Sequence, residues 1–249
     1  MTPLVLAEWP FILIALLFIP SFGLTASIAC SNKEAADIVF ALDSSFSIRK
    51  DDFKRQLGFI QAIVDQLEYG PNDYQVGVIS FESDVILEIR LDQYKKKWDL
   101  RKAINKIKHM KNGTNTREAL HFARTQMFTE AYGARSQAKK QLVIITDGLS
   151  ENTTATVSEA AVARSVGIEI FSIAVGTGPA EDFEIHSIAS KPKAYHVFKV
   201  GEFKALASIV DSVSSAACDQ LLGDGPSALT KETVLPGKPD TEKAMRAYN

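Results

Sequence analysis

Short apolar runs and amphipathic segments alternate along most of the chain. Several of the runs are almost continuous stretches of Val, Ile and Phe, a pattern typical of strands that are covered on both faces of a sheet. The predicted strands are Asp37 to Leu42, Tyr74 to Phe81, Val85 to Leu91, Gln141 to Thr146, Ile168 to Val175 and Tyr195 to Val200.

Helical stripes lie between these runs. Phe53, Leu57, Ile60, Val64 and Leu67 step by four, three, four and three, which places them on one face of a helix. Three shorter stripes are Leu100, Ile104 and Ile107; Leu120, Ala123 and Met127; and Phe203, Leu206 and Val210. The alternation predicts an α/β fold: a doubly wound, mostly parallel central sheet with helices on both faces and one antiparallel edge strand, formed by a hairpin around Glu82-Ser83-Asp84.

The two ends of the chain differ from this middle region. An apolar segment at residues 11–18 is followed by small residues, so residues 1–29 are predicted to be a signal peptide. A signal anchor is the alternative, because no charge occurs from Trp9 to Asn32 and this stretch is long enough to span a membrane. The chain would contact a membrane only if this segment were such an anchor. Residues 30–218 form the predicted domain, and residues 219–249, rich in Gly, Pro, Asp, Lys and Thr, a flexible tail or linker.

Charge and cysteine content narrow the class of protein. The net charge of -2 provides no global basic field, so nucleic acid is not an expected partner. The only cysteines, Cys30 and Cys218, stand at the two ends of the predicted domain. This placement suggests one disulfide in a secreted protein, and two unpaired thiols are the alternative.

Oxygen-bearing side chains gather where predicted strands end. Asp43, Ser45 and Ser47 follow the first strand, Thr114 precedes the third helix, and Asp147 closes a central strand. Ligands of open parallel sheets bind outside the carboxyl ends of the strands, so these segments are expected to meet there. Every second side chain of an extended loop points the same way, which accounts for the spacing of residues 43, 45 and 47.

Two carboxylates and several hydroxyls suit a hard cation such as Mg²⁺ or Mn²⁺ better than zinc or copper. Taken singly, each motif has a simpler interpretation: Ser47 could cap a helix that begins near Arg49, and Asp147-Gly148 is a common turn. The combination, in this order and at strand ends, favours a metal site.

These motifs resemble the metal-ion-dependent adhesion site of the von Willebrand factor type A family. The match is Asp43-x-Ser45-x-Ser47, Thr114 in "GTNT" and Asp147 in "ITDG", and it is joined by "ADIVFALDSS", "QVGVISF", "GTNTREAL" and "SIAVG". The resemblance covers residues 36–218 and is closest to matrilin and collagen-type matrix modules. It implies a cation held by Ser45, Ser47 and Thr114, with Asp43 and Asp147 direct or through water, and a free position for a partner's carboxylate. Thr116 is expected to open the following helix.

A basic stretch covers residues 95–111 and offers a second kind of surface. Its candidates for binding a sulfated glycosaminoglycan or another polyanion are Lys95, Lys96, Lys97, Arg101 and Lys102. The alternative is a solvated helix face, because apolar residues of the same stretch belong to the core. The sequons at Asn112 and Asn152 are candidate glycan sites, with Asn152 the better acceptor. The four histidines are assigned no role.

The sequence thus predicts a secreted, non-enzymatic module of the extracellular matrix. It would bind an acidic side chain of a matrix or cell-surface protein through Mg²⁺ or Mn²⁺. A structural matrix protein that binds polyanions is the first alternative. A metal-dependent hydrolase is the second, and it is disfavoured because no histidine base or nucleophile elbow stands near the motifs.

Overall fold

The computed structural model describes residues 35–218. The predicted signal peptide, the predicted tail and Cys30 lie outside the described residues. The strands are β1 (Ala36–Asp43), β2 (Tyr74–Phe81), β3 (Val85–Ile89), β4 (Lys139–Thr146), β5 (Ile168–Val175) and β6 (Val197–Val200). The α-helices are α1 (Lys50–Gln66), α2 (Lys97–Ile104), α3 (Thr116–Phe122), α4 (Thr153–Ser165), α5 (Pro179–Ile188), α6 (Lys193–His196) and α7 (Val210–Ala217).

The strands form one six-stranded sheet in the order β3-β2-β1-β4-β5-β6. All neighbouring strands are parallel except β2 and β3, which pair as an antiparallel hairpin at one edge. The chain moves outward from β1 in both directions, so β1 and β4 meet at the switch point of the sheet. The predicted doubly wound α/β fold with its antiparallel edge strand is therefore confirmed.

Side chains of β1 alternate between two cores, one on each face of the sheet. Ile38, Phe40 and Leu42 pack with residues of α1, α2 and α7, whereas Val39 and Ala41 pack with residues of α3 and α4. All five are fully buried, which explains why β1 reads as a continuous apolar run. Burial on both faces fixes the register of β1, and with it the position where its polar end emerges.

β1 extends one residue beyond its predicted bounds at each end, β4 begins two residues earlier than predicted, and the larger differences are at β3 and β6. β3 ends at Ile89, because the chain then turns and the Leu91 N–H donates to the carbonyl of Tyr132, in a 3₁₀ turn. Tyr195 and His196 belong to α6, where the His196 ring bonds the carbonyl of Pro192 at 2.8 Å. Short helices other than α1–α7 are Ala123–Met127, which is π-helical, and the 3₁₀ segments Glu130–Tyr132 and Phe203–Ile209.

Across residues 35–218, none of the helices has both the length and the apolar character needed to cross a membrane. Cys218 follows α7, is buried and is not a free thiol. Its predicted pairing with Cys30 stays a prediction.

Candidate functional site

Asp43 is the last residue of β1, and its carboxylate is fully buried at the carboxyl end of the sheet. One oxygen accepts the backbone N–H of Ser45 at 2.9 Å, and the other accepts the hydroxyl of Thr146 at 2.7 Å. Burial raises the pKa of Asp43 to about 6, although these hydrogen bonds act in the opposite direction. No cation contacts this carboxylate within residues 35–218, so its charge has only dipoles as partners there.

A chain of hydrogen bonds connects Asp43's loop to Asp147. The hydroxyls of Ser45 and Ser47 lie 3.0 Å apart, and the Ser47 hydroxyl donates to Asp147 at 2.9 Å. Burial raises the pKa of Asp147, and the negative charge of Asp52 adds to this effect, while the Ser47 hydroxyl opposes it. The structure therefore brings together four of the five residues that the sequence analysis selects.

Thr114 lies on the neighbouring loop, which packs directly against the loop after β1. The N–H groups of Met110 and Lys111 donate to the side chain and carbonyl of Ser44, at 2.8 and 2.9 Å. The Phe46 N–H in turn donates to the carbonyl of Asn112 at 2.8 Å. The Thr114 carbonyl accepts the N–H of Glu151, which ties this loop to the segment after Asp147.

The Thr114 hydroxyl makes no hydrogen bond to the other four candidates in the described part of the chain. Its side chain is half-buried. Thr116 is the first residue of α3, as expected, and Asn115 caps that helix by accepting the N–H of Glu118 at 3.1 Å. Ser47 caps no helix, since α1 begins at Lys50 with Arg49 before it.

The donor set fits a hard divalent cation. Among residues 35–218 no three His, Cys, Asp or Glu side chains are grouped so that they alone could hold a metal ion. Two carboxylates and three hydroxyls are what the loops offer instead, and oxygen ligands of this kind suit Mg²⁺ or Mn²⁺. Asp43 is buried, its pKa is raised, and no cationic side chain of residues 35–218 lies beside it. A bound cation would therefore stabilise the charged form of this carboxylate.

Three positioning residues were missed by the sequence analysis. Thr146 precedes Asp147 and bonds Asp43 across the β1–β4 boundary, where Leu42 pairs with Ile145. Buried Glu184 of α5 accepts the N–H and hydroxyl of Ser150, at 3.0 and 2.7 Å, and thereby holds the loop after β4. The His109 ring lies 3.2 Å from the carbonyl of Ser45 and stacks on Phe53. Thr146 alone carried a signal, namely a hydroxyl at the end of a strand that neighbours β1.

Some side chains of the basic stretch bond to the end of α1, and others are exposed, with Lys102 Nζ 4.8 Å from the centroid of the Trp98 ring. Lys97 donates to the carbonyls of Asp65 and Leu67 at the end of α1, and Arg101 pairs with Asp65. Lys95, Lys96 and Lys102 are exposed. Two of the five polyanion candidates thus stabilise the end of α1 within the fold.

Both sequon asparagines are exposed. Asn112 is exposed on the loop that contacts Phe46. Asn152 is exposed and caps α4, its side-chain oxygen accepting the N–H of Ala155 at 3.0 Å. Both stay candidate glycan sites.

Comparison with known proteins gives the family of the chain. Residues 37–212 match the von Willebrand factor type A domain. Among curated relatives, chicken (Gallus gallus) matrilin-1 is 35% identical over 198 residues, which are 79% of this chain and 39% of the relative. The collagen alpha-1(XII) chain of the newt Notophthalmus viridescens is 32% identical over 207 residues, 83% of this chain and 21% of the relative. The chain thus spans about two fifths or less of these relatives.

Solved structures agree with the sequence matches. Proximal thread matrix protein 1 from the mussel byssus superposes with a TM-score of 0.70 at 25% identity, over 75% of this chain and 49% of that one. A second structure of that protein, with a zinc-occupied metal-ion-dependent adhesion site, gives 0.69 at 26% identity, over 75% and 49%.

The matrilins and collagens among the relatives are secreted, structural proteins of the extracellular matrix, and the predicted localisation is confirmed by them. The resemblance stated from the motifs is confirmed as well. The chain belongs to the von Willebrand factor type A family.

Proposed function

We propose that this chain is a non-enzymatic adhesion module that binds an acidic side chain of a matrix or cell-surface protein through a divalent cation. The observation that carries the proposal is the hydrogen-bonded set of Asp43, Ser45, Ser47 and Asp147 at the switch point of the sheet. Ser45, Ser47 and Thr114 would hold Mg²⁺ or Mn²⁺, with Asp43 and Asp147 direct or through water. The zinc-occupied adhesion site of the mussel protein supports a divalent cation at this place in the family.

The cation would supply positive charge and a coordination position to a visiting carboxylate. The chain itself holds two carboxylates and the hydroxyls in one place and leaves the surface above them open. Phe46 and Ser47 are both exposed, so a partner can approach this surface directly.

Metal uptake by the full chain tests the first half of the proposal. After chelator treatment, isothermal titration with Mg²⁺ or Mn²⁺ is expected to show one site per chain, and Asp43→Ala is expected to abolish it. Asp92→Ala removes a half-exposed carboxylate that pairs with Arg90 away from the site, and it serves as the matched control. Absence of uptake by the unmodified chain at millimolar cation would contradict the proposal.

Partner binding tests the second half. Solid-phase binding to an extracellular matrix extract is expected in Mg²⁺ and to disappear with EDTA or with Asp43→Ala. Thr114→Ala keeps both carboxylates and removes one proposed ligand, so a partial loss of cation affinity is expected. Binding that persists in EDTA would mean that another surface is responsible.

A polyanion-binding function is the second candidate. Lys95, Lys96, Lys102 and Lys106 line one cleft of about 450 Å³, with Asp99 as an acid among them. Heparin retention that falls steeply with salt would support it, since release of counterions makes such binding salt-dependent. Neutralising Lys95 and Lys96 should then abolish retention while cation uptake remains.

A further inference from the structure

A polar cleft of about 400 Å³ adjoins the proposed metal site, with Asp147 in its wall. Arg49, Asp52 and Arg55, at the start of α1, line one side, and Glu202 and Lys204, which follow β6, line another. We call this the arginine cleft. It lies at the carboxyl ends of the parallel strands, where ligands of such sheets bind.

The two arginines share one carboxylate. Arg49 Nε donates to one oxygen of Asp52 at 2.7 Å, and Arg55 Nη1 donates to the other at 2.6 Å. The remaining nitrogens of both guanidinium groups make no hydrogen bond within residues 35–218. Arg135 shows the contrast, because all three of its side-chain nitrogens donate to protein oxygens.

Both guanidinium groups are accessible to a partner. The side chain of Arg49 is 81% exposed and that of Arg55 is 43% exposed, whereas Asp52 beneath them is only 9% exposed. Asp52 therefore holds the arginines in place from below and leaves their outer edges open. A guanidinium group with free, planar N–H donors matches the two oxygens of a carboxylate.

The charge balance of the arginine cleft favours an anion once the cation is bound. Lys204 and Glu202 pair at 2.6 Å and cancel. Asp52 offsets one of the two arginines, and a bound divalent cation would offset Asp147 together with Asp43. One uncompensated positive charge then remains on the arginine pair.

We propose that Arg49 and Arg55 form a carboxylate-binding subsite beside the metal site, and that the preferred partner segment presents two acidic side chains. The cation takes the first and the arginine pair takes the second. This inference rests on the proposed function and adds a rule for selecting the partner. A segment with a single acid would bind through the cation alone and more weakly.

Peptides with controlled spacing test the subsite on the full chain. The probes are Gly/Ser peptides with a single Glu, and the same peptides with a second Glu at one of the next four positions. Binding is measured by NMR titration in Mg²⁺, up to millimolar peptide. At one or more spacings the second Glu is expected to tighten binding about tenfold, the size of one added charge-assisted contact. A matched Gln in the second position is expected to give no gain.

Substitutions then locate the gain. In the double variant Arg49→Gln and Arg55→Gln, two-acid peptides are expected to bind no better than the single-Glu peptide, while Mg²⁺ uptake and single-Glu binding persist. Arg90→Gln removes a half-exposed arginine paired with Asp92 elsewhere, and it should keep the gain. The substituted glutamines keep N–H donors that can bond to Asp52, so the fold is expected to persist, and urea unfolding of the double variant checks this.

Three results would overturn the subsite. The second Glu could give no gain at any spacing, or the gain could survive in the double variant. A heparin oligosaccharide that shifts the Arg49 and Arg55 signals in EDTA would instead show a general polyanion site. If the single-Glu peptide fails to bind in Mg²⁺, the proposed function itself fails, and the two failures are thereby distinguished.

Discussion

Phe46 is the most exposed large hydrophobic side chain among the described residues, and it lies between two proposed cation ligands, Ser45 and Ser47. At 79% exposure it adds nothing to the core, so its place in the loop suggests contact with a partner. Phe46→Ala is expected to weaken binding of the matrix partner by about 2 kcal/mol, the typical cost of losing an aromatic anchor. Solid-phase binding in Mg²⁺ measures this loss.

The control for Phe46 is Phe183 of α5, which is 66% exposed and lies away from the loop after β1. Phe183→Ala should leave partner affinity unchanged, and both variants should take up Mg²⁺ like the unmodified chain. Equal losses in the two variants would indicate a general effect of surface hydrophobicity and not a contact at the site.

At the scale of single residues, local sequence patterns identified the four candidate ligands that the structure brings together, but not the residues that support them. Asp43, Ser45, Ser47 and Asp147 are recognisable because spacing and strand ends are local features of the sequence. Glu184 is 37 residues beyond Asp147, and its contact with Ser150 exists only after α5 packs beside α4. No local pattern marks such a residue, so its role could not be predicted.

Glu184 anchors the loop after β4 to α5 and so links two elements. Its buried carboxylate accepts three hydrogen bonds, two from Ser150 and one from the Thr153 hydroxyl at 2.6 Å. Glu184→Gln replaces an acceptor by an NH₂ group that faces donors, so we expect a loss of about 1–3 kcal/mol in the free energy of unfolding. Cation affinity should fall as well, because Asp147 lies on the same loop.

Urea unfolding and cation titration of Glu184→Gln measure the two effects. Glu130→Gln, an exposed acid in the 3₁₀ turn after α3, is the control and should change neither quantity. A stable variant with unchanged cation affinity would show that the loop needs no support from α5.

His196 of α6 and Glu169 of β5 form an ion pair whose ring and carboxylate atoms lie 2.8 Å apart. Burial lowers the pKa of His196, but its hydrogen bonds to Glu169 and Pro192 outweigh this and raise it. Burial raises the pKa of Glu169, but the hydrogen bonds from His196 and Gln141 outweigh this and lower it. Lys193 acts against the charged His196, and Lys139 favours the charged Glu169.

The signs give a pH window for this pair. A raised histidine pKa stabilises the fold below about pH 6.5, the unfolded value, and this contribution is lost as pH rises through the folded pKa. A lowered glutamate pKa stabilises the fold at pH values above the unfolded pKa of the carboxyl, and this contribution is lost in acid. His196→Gln should therefore cost more stability at pH 5.5 than at pH 8.5, as urea unfolding can measure. An equal cost at both pH values would mean that the ring acts only by packing.

At the scale of elements, α1 and α4 show why a stripe of bulky residues is easier to predict than one of small residues. α1 buries Phe53, Leu57 and Ile60 on one face, and its stripe was found. α4 buries only Thr156, Ala160 and Ala163, which resemble loop composition as much as a helix face. Its position follows from the βαβ connection between β4 and β5 and not from its own sequence.

At the scale of the whole molecule, β1 carries a buried carboxylate at each end, and the two are treated differently. Asp37, at the first end, accepts from the backbone and side chain of Arg135 at 2.7 and 2.8 Å. Asp43, at the other end, accepts hydrogen bonds from one N–H group and one hydroxyl in the described part of the chain, and from no cationic side chain there. The fold thus pairs one carboxylate with an arginine and, within residues 35–218, leaves the other without a cationic side chain, at the place where we propose that the cation binds.

This division predicts that stability and cation binding can be separated. Arg135→Ala leaves the fully buried Asp37 unpaired and removes hydrogen bonds to the carbonyls of Ala36 and Asp73, so the free energy of unfolding should fall by about 3–5 kcal/mol. In EDTA, Asp43→Ala should not lower the free energy of unfolding, because it removes a buried charge that has no cationic partner within residues 35–218. The same variant should lose Mg²⁺ uptake completely. Urea unfolding in EDTA and calorimetric titration of folded protein test both variants, with Arg135→Ala retaining the unmodified cation affinity. A fall in that affinity would show that the two ends of β1 are coupled through the strand. The proposed cation site would then depend on the ion pair of Asp37 at the opposite end of β1.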